Sequence, residues 1–285
     1  MEEVLTQLQT AQQELEPQFK ALQQVMGALK TANRLANEGK ADALPMQKAL
    51  TKLEAAAANV DSNALAAAVS SFAYVTQTAL DNLAYEFARD LRDEFAARGE
   101  TVEGRPPTLT VGMLTFKIDI AARKGQWLYG KEPLTRPIPL SLTGILKAYD
   151  QQVKRIVNRE LDAGPFLQEL FKAWQDCLSK RDRSPRGGRI NVVELYSQLT
   201  LNRQSGRFWN APSRSTFKDY ERPLFVRDLS LLQQQGATAL SVNGQTYPLR
   251  LGVATKSQAE QSSRSIWLPS TALDGEYYSD LTFES

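Results

Sequence analysis

Histidine is absent from this 285-residue chain, and cysteine occurs once, at Cys177. The first absence removes Ser-His-Asp and Cys-His nucleophile activation and every histidine-ligated metal site. The second removes any intrachain disulfide and any paired-cysteine motif, which favours a cytoplasmic, reducing location. No uninterrupted apolar run reaches the roughly 18 residues of a membrane span, so no membrane partner is expected. The opening MEEVLTQLQTAQQELE starts acidic and lacks the apolar stretch of a secretory signal. The phosphate-loop pattern GxxxxGK[ST] is missing as well. Together these absences disfavour an enzyme while leaving carboxylate, lysine and tyrosine chemistry open. No metal, cofactor or catalytic residue is assigned.

Charge is unevenly placed. Residues 1–100 carry net −5, residues 101–179 net +3, residues 180–227 net +7 and residues 228–285 net −3, within a chain of net +2. The stretch Lys180–Arg227 holds 11 Lys/Arg against 4 Asp/Glu, interleaved with Tyr196, Phe208, Trp209, Phe217, Tyr220 and Phe225. Dense positive charge beside flat aromatic side chains suits a polyanion, above all nucleic acid.

Periodicity predicts an α+β fold, mostly helical. Residues 1–98 read as a helical bundle or coiled-coil arm, followed by a mixed helix-plus-hairpin domain at 104–285. In the first helix Leu8, Leu15, Leu22 and Leu29 share one heptad position, and Leu5, Gln12, Phe19 and Met26 the other. That seam marks a helix that pairs with another helix, either as one leg of an intramolecular bundle or between chains. The intramolecular leg is the favoured reading. Pro17 is expected to kink the helix or start a new one. Asn37, Gly39 and Pro45 mark a break. A second helix carries Met46, Leu50, Leu53 and Ala57, and a third runs from about Leu65 to Ala97, closed by Gly99.

Past the Gly104-Arg105-Pro106-Pro107 break, Leu109 to Ile120 and Gln126 to Tyr129 read as a small hairpin or meander, turning at Lys124-Gly125. Helices are expected at about 142–161, 165–179, 190–201 and 220–235. Asn243-Gly244 then signals a hairpin over 239–252. Residues 254–264 read as loop or disorder, with late strands at Ile266–Leu268 and Tyr277–Phe283.

The order helix, helix, helix, hairpin over 165–253 is winged-helix-like, with 220–235 as recognition helix and the hairpin as wing. Arg222 and Arg227 would lie on that helix and Arg250 on the wing. Lys180, Arg181, Arg183, Arg186 and Arg189 form a mobile basic loop. Its Gly187-Gly188 pair offers backbone amides to an anion. Arg203, Arg207, Arg214 and Lys218 would meet phosphates, and Trp209 would stack a base.

Three weaker patterns are weighed alongside. Glu86, Asp90, Asp93 and Glu94 share a face of the third helix and read as surface ion pairs, with Arg89 placed to reach Asp93, rather than a cation site. Glu103, Lys117 and Asp119 do not form the acid-x-Lys strand pattern of a metal-dependent nuclease. Glu38-Gly39-Lys40 has that spelling but falls between helices. Cys177 sits near basic residues but has no histidine base, so it reads as structural.

The expectation is a non-catalytic subunit of a multiprotein assembly. Its basic region would make sequence-independent phosphate contacts, and its helical arm would dock protein partners or a second copy. The alternatives are a protein-only scaffold with a basic docking face and a carboxylate-dependent nuclease.

Overall fold

The computed structural model describes residues 2–37, 43–183 and 185–284; the Arg186 side chain is outside the description, as are Gly39 and the Glu38-Gly39-Lys40 triplet. The chain forms two compact units. One comprises Met1–Glu94, Arg105–Pro107 and Ile118–Lys124, and the other Phe95–Gly104, Thr108–Lys117 and Gly125–Ser285.

The first unit is built on helices α1 (Glu2–Asn37), α2 (Ala43–Ala57) and α3 (Asn63–Ala97), whose last turn belongs to the second unit. Its core gathers Val25, Ala32 and Leu35 of α1, Met46, Leu53 and Ala56 of α2, and Leu65 and Phe72 of α3. Much of this core is alanine, which lets helices approach closely but removes little apolar area from water. Two expectations change here. α1 runs without interruption through Pro17. The leucine seam is also not a bundle leg: Leu5, Leu8, Leu15, Phe19, Leu22 and Met26 are all exposed. Only Leu29, at the end of the seam, packs against the core.

α3 ends as its sequence indicates. Gly99 takes φ +76° and the Glu100 amide returns to the Phe95 carbonyl at 3.0 Å, a left-handed turn that glycine adopts without a Cβ penalty.

A six-stranded sheet follows, larger than the hairpin expected from sequence. Its order is β1 (Val102–Arg105), β2 (Thr108–Val111), β3 (Leu114–Asp119), β4 (Lys124–Tyr129) and β5 (Glu132–Pro133), with β6 (Ile138–Pro139) also on β4. Lys124-Gly125 begins β4 instead of forming the turn, which passes through Arg123 at φ 51°. Trp127 is fully buried with Phe95, Phe116 and Tyr149, at ring-centroid distances of 6.3, 4.8 and 5.1 Å, and its Nε1 donates to the Ile145 carbonyl at 3.1 Å. Gly125 lies against the Phe116 ring with no room for a side chain.

Helix α4 (Leu142–Gln152) widens into a π-turn at Val153–Val157, ending sooner than its periodicity indicates. Helix α5 (Ala163–Ser179) and a 3-10 turn at Arg186–Gly188 lead into β7 (Ile190–Asn191) and α6 (Val192–Asn202). Asn191 caps α6, its Oδ1 accepting from the Val193 and Glu194 amides. A short helix α7 (Gly206–Asn210) lies inside the expected loop, before α8 (Arg222–Gln234). Strands β8 (Ala239–Val242) and β9 (Gln245–Val253) meet at Asn243-Gly244, with φ of 51° and 79°, the geometry that dipeptide favours. A short helix α9 (Lys256–Ala259) precedes β10 (Ile266–Pro269) and β11 (Gly275–Phe283). The second sheet has the order β10-β11-β9-β8, with β7 on β11.

The expected elements are therefore present, but two features depart from a winged helix. The hairpin is not a free wing, because the second half of β9 continues into the sheet and pairs with β11, from Tyr278↔Val253 to Phe283↔Leu249. Nor is α8 presented to a groove, since Phe225, Val226, Arg227, Asp228, Leu229 and Leu232 are all buried.

Among the described residues no helix is long and apolar enough to cross a membrane.

Candidate nucleic-acid interface

The described basic side chains of 180–227, taken with Arg250, divide into three groups. Two are held by internal partners, Arg227 buried and Arg222 half-buried. Arg227 is 8% exposed, and its guanidinium donates to the Ile156 and Val157 carbonyls at 2.9 and 3.0 Å and to the Tyr129 hydroxyl at 3.3 Å. Arg222 donates to Glu132 at 2.8 Å and to the Ser262 and Ser265 carbonyls at 2.6 and 2.8 Å. Neither is placed to meet a phosphate, which corrects the sequence reading of both. A buried cation survives only when its donors are satisfied internally, and here they are.

A second group is surface-lying but paired. Arg181 binds Glu194 at 2.7 Å, Lys180 donates to Gln198 at 2.5 Å, and Arg250 binds Glu284 at 3.3 Å. Arg189 stands 3.9 Å from Asp280. Arg203 donates twice to Glu169, at 2.9 and 2.5 Å, and lies 3.8 Å above the Tyr220 ring. The exposed pairs of Arg181, Arg189 and Arg250 hold weakly and exchange readily for a phosphate, whereas Arg203 is more firmly seated.

The third group, Arg183, Arg207, Arg214 and Lys218, is exposed and has no side-chain ion pair among the described residues. Three of these four, Arg207, Arg214 and Lys218, lie in the same 207–218 segment as one aromatic knob. Phe208 on α7 contacts Trp209 at 5.3 Å and Phe217 at 5.6 Å, so its ring ties the short helix to the loop that follows. Thr216 holds that loop, its hydroxyl donating to the Ala211 carbonyl at 3.0 Å. Trp209 is left 57% exposed, with Arg207 two residues before it, and Lys218 directly follows Phe217.

Lys218 also lines a pocket of about 550 Å³ beside α5 and α6, together with Arg159, Glu169, Lys172, Asn202 and Arg203. Behind this pocket Asp228 is fully buried. It accepts from Arg159 Nε and Nη2 at 2.5 and 2.9 Å and from the Tyr220 hydroxyl at 2.7 Å. Burial, then the neighbouring Asp228 charge, holds the Tyr220 proton far above its ordinary range, and the Asp228 hydrogen bond raises Arg159. The wall is thus fixed by paired charges, and the lining sets Arg159, Lys172, Arg203 and Lys218 beside Glu169 and Asp219. Lys172 and Arg159 lie outside the basic stretch, and nothing in their local sequence joins them to it. The packing of α5 on α6 brings Lys172 there, and the pair with Asp228 of α8 holds Arg159.

The Gly187-Gly188 turn is anchored and makes a poor amide cradle. The Gly188 amide donates to Pro185 at 2.9 Å, the Gly188 carbonyl accepts from Trp174 Nε1 at 2.7 Å, and the Gly187 carbonyl accepts from Thr282 at 2.8 Å.

No protein family, curated protein or solved structure matches this chain.

The remaining candidates have structural roles. Asp119 accepts the Ala122 amide at 2.9 Å and so shapes a turn. Arg89 reaches Asp90 at 3.4 Å rather than Asp93, with both side chains more than half exposed. Among the described residues no group of three acidic or cysteine side chains is placed to hold a metal ion. Cys177 is buried, and that burial pushes its thiol up to about 11. Trp174 stacks in a cluster with Phe171 and Phe283 at 5.5 and 5.6 Å. Trp267 pairs with Tyr277 beneath Lys131, whose Nζ is 4.2 Å from the indole centroid.

Proposed function

We propose that this chain is a non-catalytic subunit that contacts nucleic acid, with single strands preferred over duplex, and that docks partners through α1. The observation carrying this reading is the aromatic knob. An exposed tryptophan is buttressed by Phe208, among arginines and a lysine that have no internal partner. An indole face offers a stacking surface to any unpaired base, and neighbouring cations gain by releasing counterions from phosphates. In this reading Trp209 stacks a base and Arg207, Arg214, Lys218 and Arg183 meet the backbone. Lys172 and Arg203 extend the track into the pocket, and Lys180, Arg181, Arg189 and Arg250 add exchangeable charge at its margins. Recognition is independent of sequence, because none of these groups presents a fixed pair of donors or acceptors to a base edge.

The test is fluorescence anisotropy with labelled single-stranded and duplex DNA and single-stranded RNA across a salt series. Binding that weakens linearly on a log–log salt plot and favours single strands supports the reading. No binding to any of the three at low salt overturns it and favours a protein-only scaffold.

A further inference from the structure

We propose that the exposed face of α1 is a homodimer interface, in which two copies of this chain form a parallel, in-register, two-stranded coiled coil over about residues 5–26. The inference deepens the partner-docking part of the reading above by naming the partner, and is independent of the nucleic-acid part.

Where α1 has neighbours of its own, Val25 is 4% exposed and Met26 is 66% exposed. The intramolecular face of α1 runs through Val25, Ala28, Ala32 and Leu35. The heptad seam occupies a different side of the cylinder, because successive residues turn by about 100°. Where α2 and α3 pack, they cover Leu29 at the end of the seam but leave Met26 uncovered, and the seam from Leu5 to Met26 lies off the bundle core. Leu5, Leu8, Leu15, Phe19, Leu22 and Met26 are each between 51% and 67% exposed. A row of that length has no role in a monomer and a large cost in water.

Three features select a second copy. First, extent: six large apolar side chains, each more than half exposed, line one stripe over about three heptads, and a second copy would cover them with six identical ones. Second, flanking chemistry: taking Leu5 as position a and Leu8 as d, the edge pairs of a parallel dimer are Val4 with Gln9, Ala11 with Glu16 and Gln18 with Gln23. No like charges oppose one another, and Glu16 is already balanced by Lys20 on its own helix at 2.6 Å. A partner of complementary charge would call for charged edges, which this seam lacks. Third, Gln12: in register, the two Gln12 amides face each other and can hydrogen-bond across the seam. An antiparallel pair would set each amide against a leucine, a polar-apolar mismatch. Pro17 falls at the outermost heptad position, where it does not intrude on the seam.

The experiment is sedimentation equilibrium of the full chain at about 50 µM, with the Leu8→Glu/Leu15→Glu double variant and Gln12→Cys. A dimer of twice the 31.8 kDa chain mass, returned to monomer by the double variant, is expected. Both altered leucines are exposed, so urea unfolding of the remaining fold should not change. Mild oxidation of Gln12→Cys should link the two chains, while Cys177 stays buried and unreactive. A monomeric wild type, or a dimer indifferent to the double variant, overturns the proposal. So does cross-linking that fails at Gln12→Cys but succeeds in a mixture of Leu5→Cys and Leu22→Cys chains, which would mean an antiparallel pair. Anisotropy on the same monomeric variant separates this outcome from failure of nucleic-acid binding.

Discussion

Arg227 Nε donates to the Ile156 carbonyl at 2.9 Å, and its neighbour Asp228 binds Arg159 three residues further along. Two adjacent α8 residues of opposite sign thus hold one segment. At the end of the π-turn the Ile156 carbonyl accepts the Arg159 amide at 3.4 Å and the guanidinium adds a second donor, while the Val157 carbonyl accepts from the guanidinium. Asp228 then fixes the chain just after the turn.

Arg227→Met should therefore cost stability and not binding. Removing the guanidinium leaves the Val157 carbonyl without its donor and the Ile156 carbonyl with the Arg159 amide alone, for a loss of about 2 kcal/mol. Urea unfolding measures the loss, and anisotropy should show an unchanged salt slope. A reduced slope with intact stability would return Arg227 to the binding surface.

Asp228→Asn should likewise destabilise by about 3 kcal/mol, because one partner of a buried ion pair is removed while Arg159 stays. The variant also loses part of the Tyr220 anchorage, so the wall of the 550 Å³ pocket should loosen. Faster amide exchange at residues 218–221, measured by mass spectrometry, is the expected signature; unchanged exchange would contradict this account of the wall.

At the knob, Trp209→Ala should weaken single-strand binding about 5- to 100-fold, as expected for one stacked base, and duplex binding far less. Replacing Arg207, Arg214 and Lys218 by Gln should instead lower the single-strand salt slope by roughly 2, since each phosphate contact contributes about 0.7. Equal losses on both substrates for Trp209→Ala would argue against stacking.

The alkaline limb of stability should reflect Cys177 among other groups. Its thiol rises from 9.0 to about 11 on folding. The folded state thus retains a proton that the unfolded chain loses, so the contribution is complete below pH 9 and is lost as pH rises towards 11. Cys177→Ala should flatten that part of the pH profile. Native protein at pH 8 should also resist thiol reagents that label the urea-unfolded chain at once.

Several local elements were legible in the residues themselves. The Asn243-Gly244 hairpin, the Gly99 helix end and the late strand ending at Phe283 all depend on short-range chemistry: a left-handed φ, or alternation against one apolar face. Pro17 misled because helix interruption depends on whether the missing amide matters in context. The knob was half legible: Trp209 and its cations were read from the sequence, but the clamp of Phe208 on Phe217 spans a loop with no periodicity.

What the sequence by itself determined is the mostly helical α+β class, the charge layout and the heptad seam, since each follows from composition or from repeats within one element. Tertiary structure alone decided which cations are free. Arg227 and Arg207 are identical in chemistry and both lie in the basic stretch, yet one serves the interior and the other faces water. That difference arises from which carbonyls and carboxylates the fold brings within about 3 Å of each guanidinium, and the carbonyls that hold Arg227 lie 70 and 71 residues away in sequence.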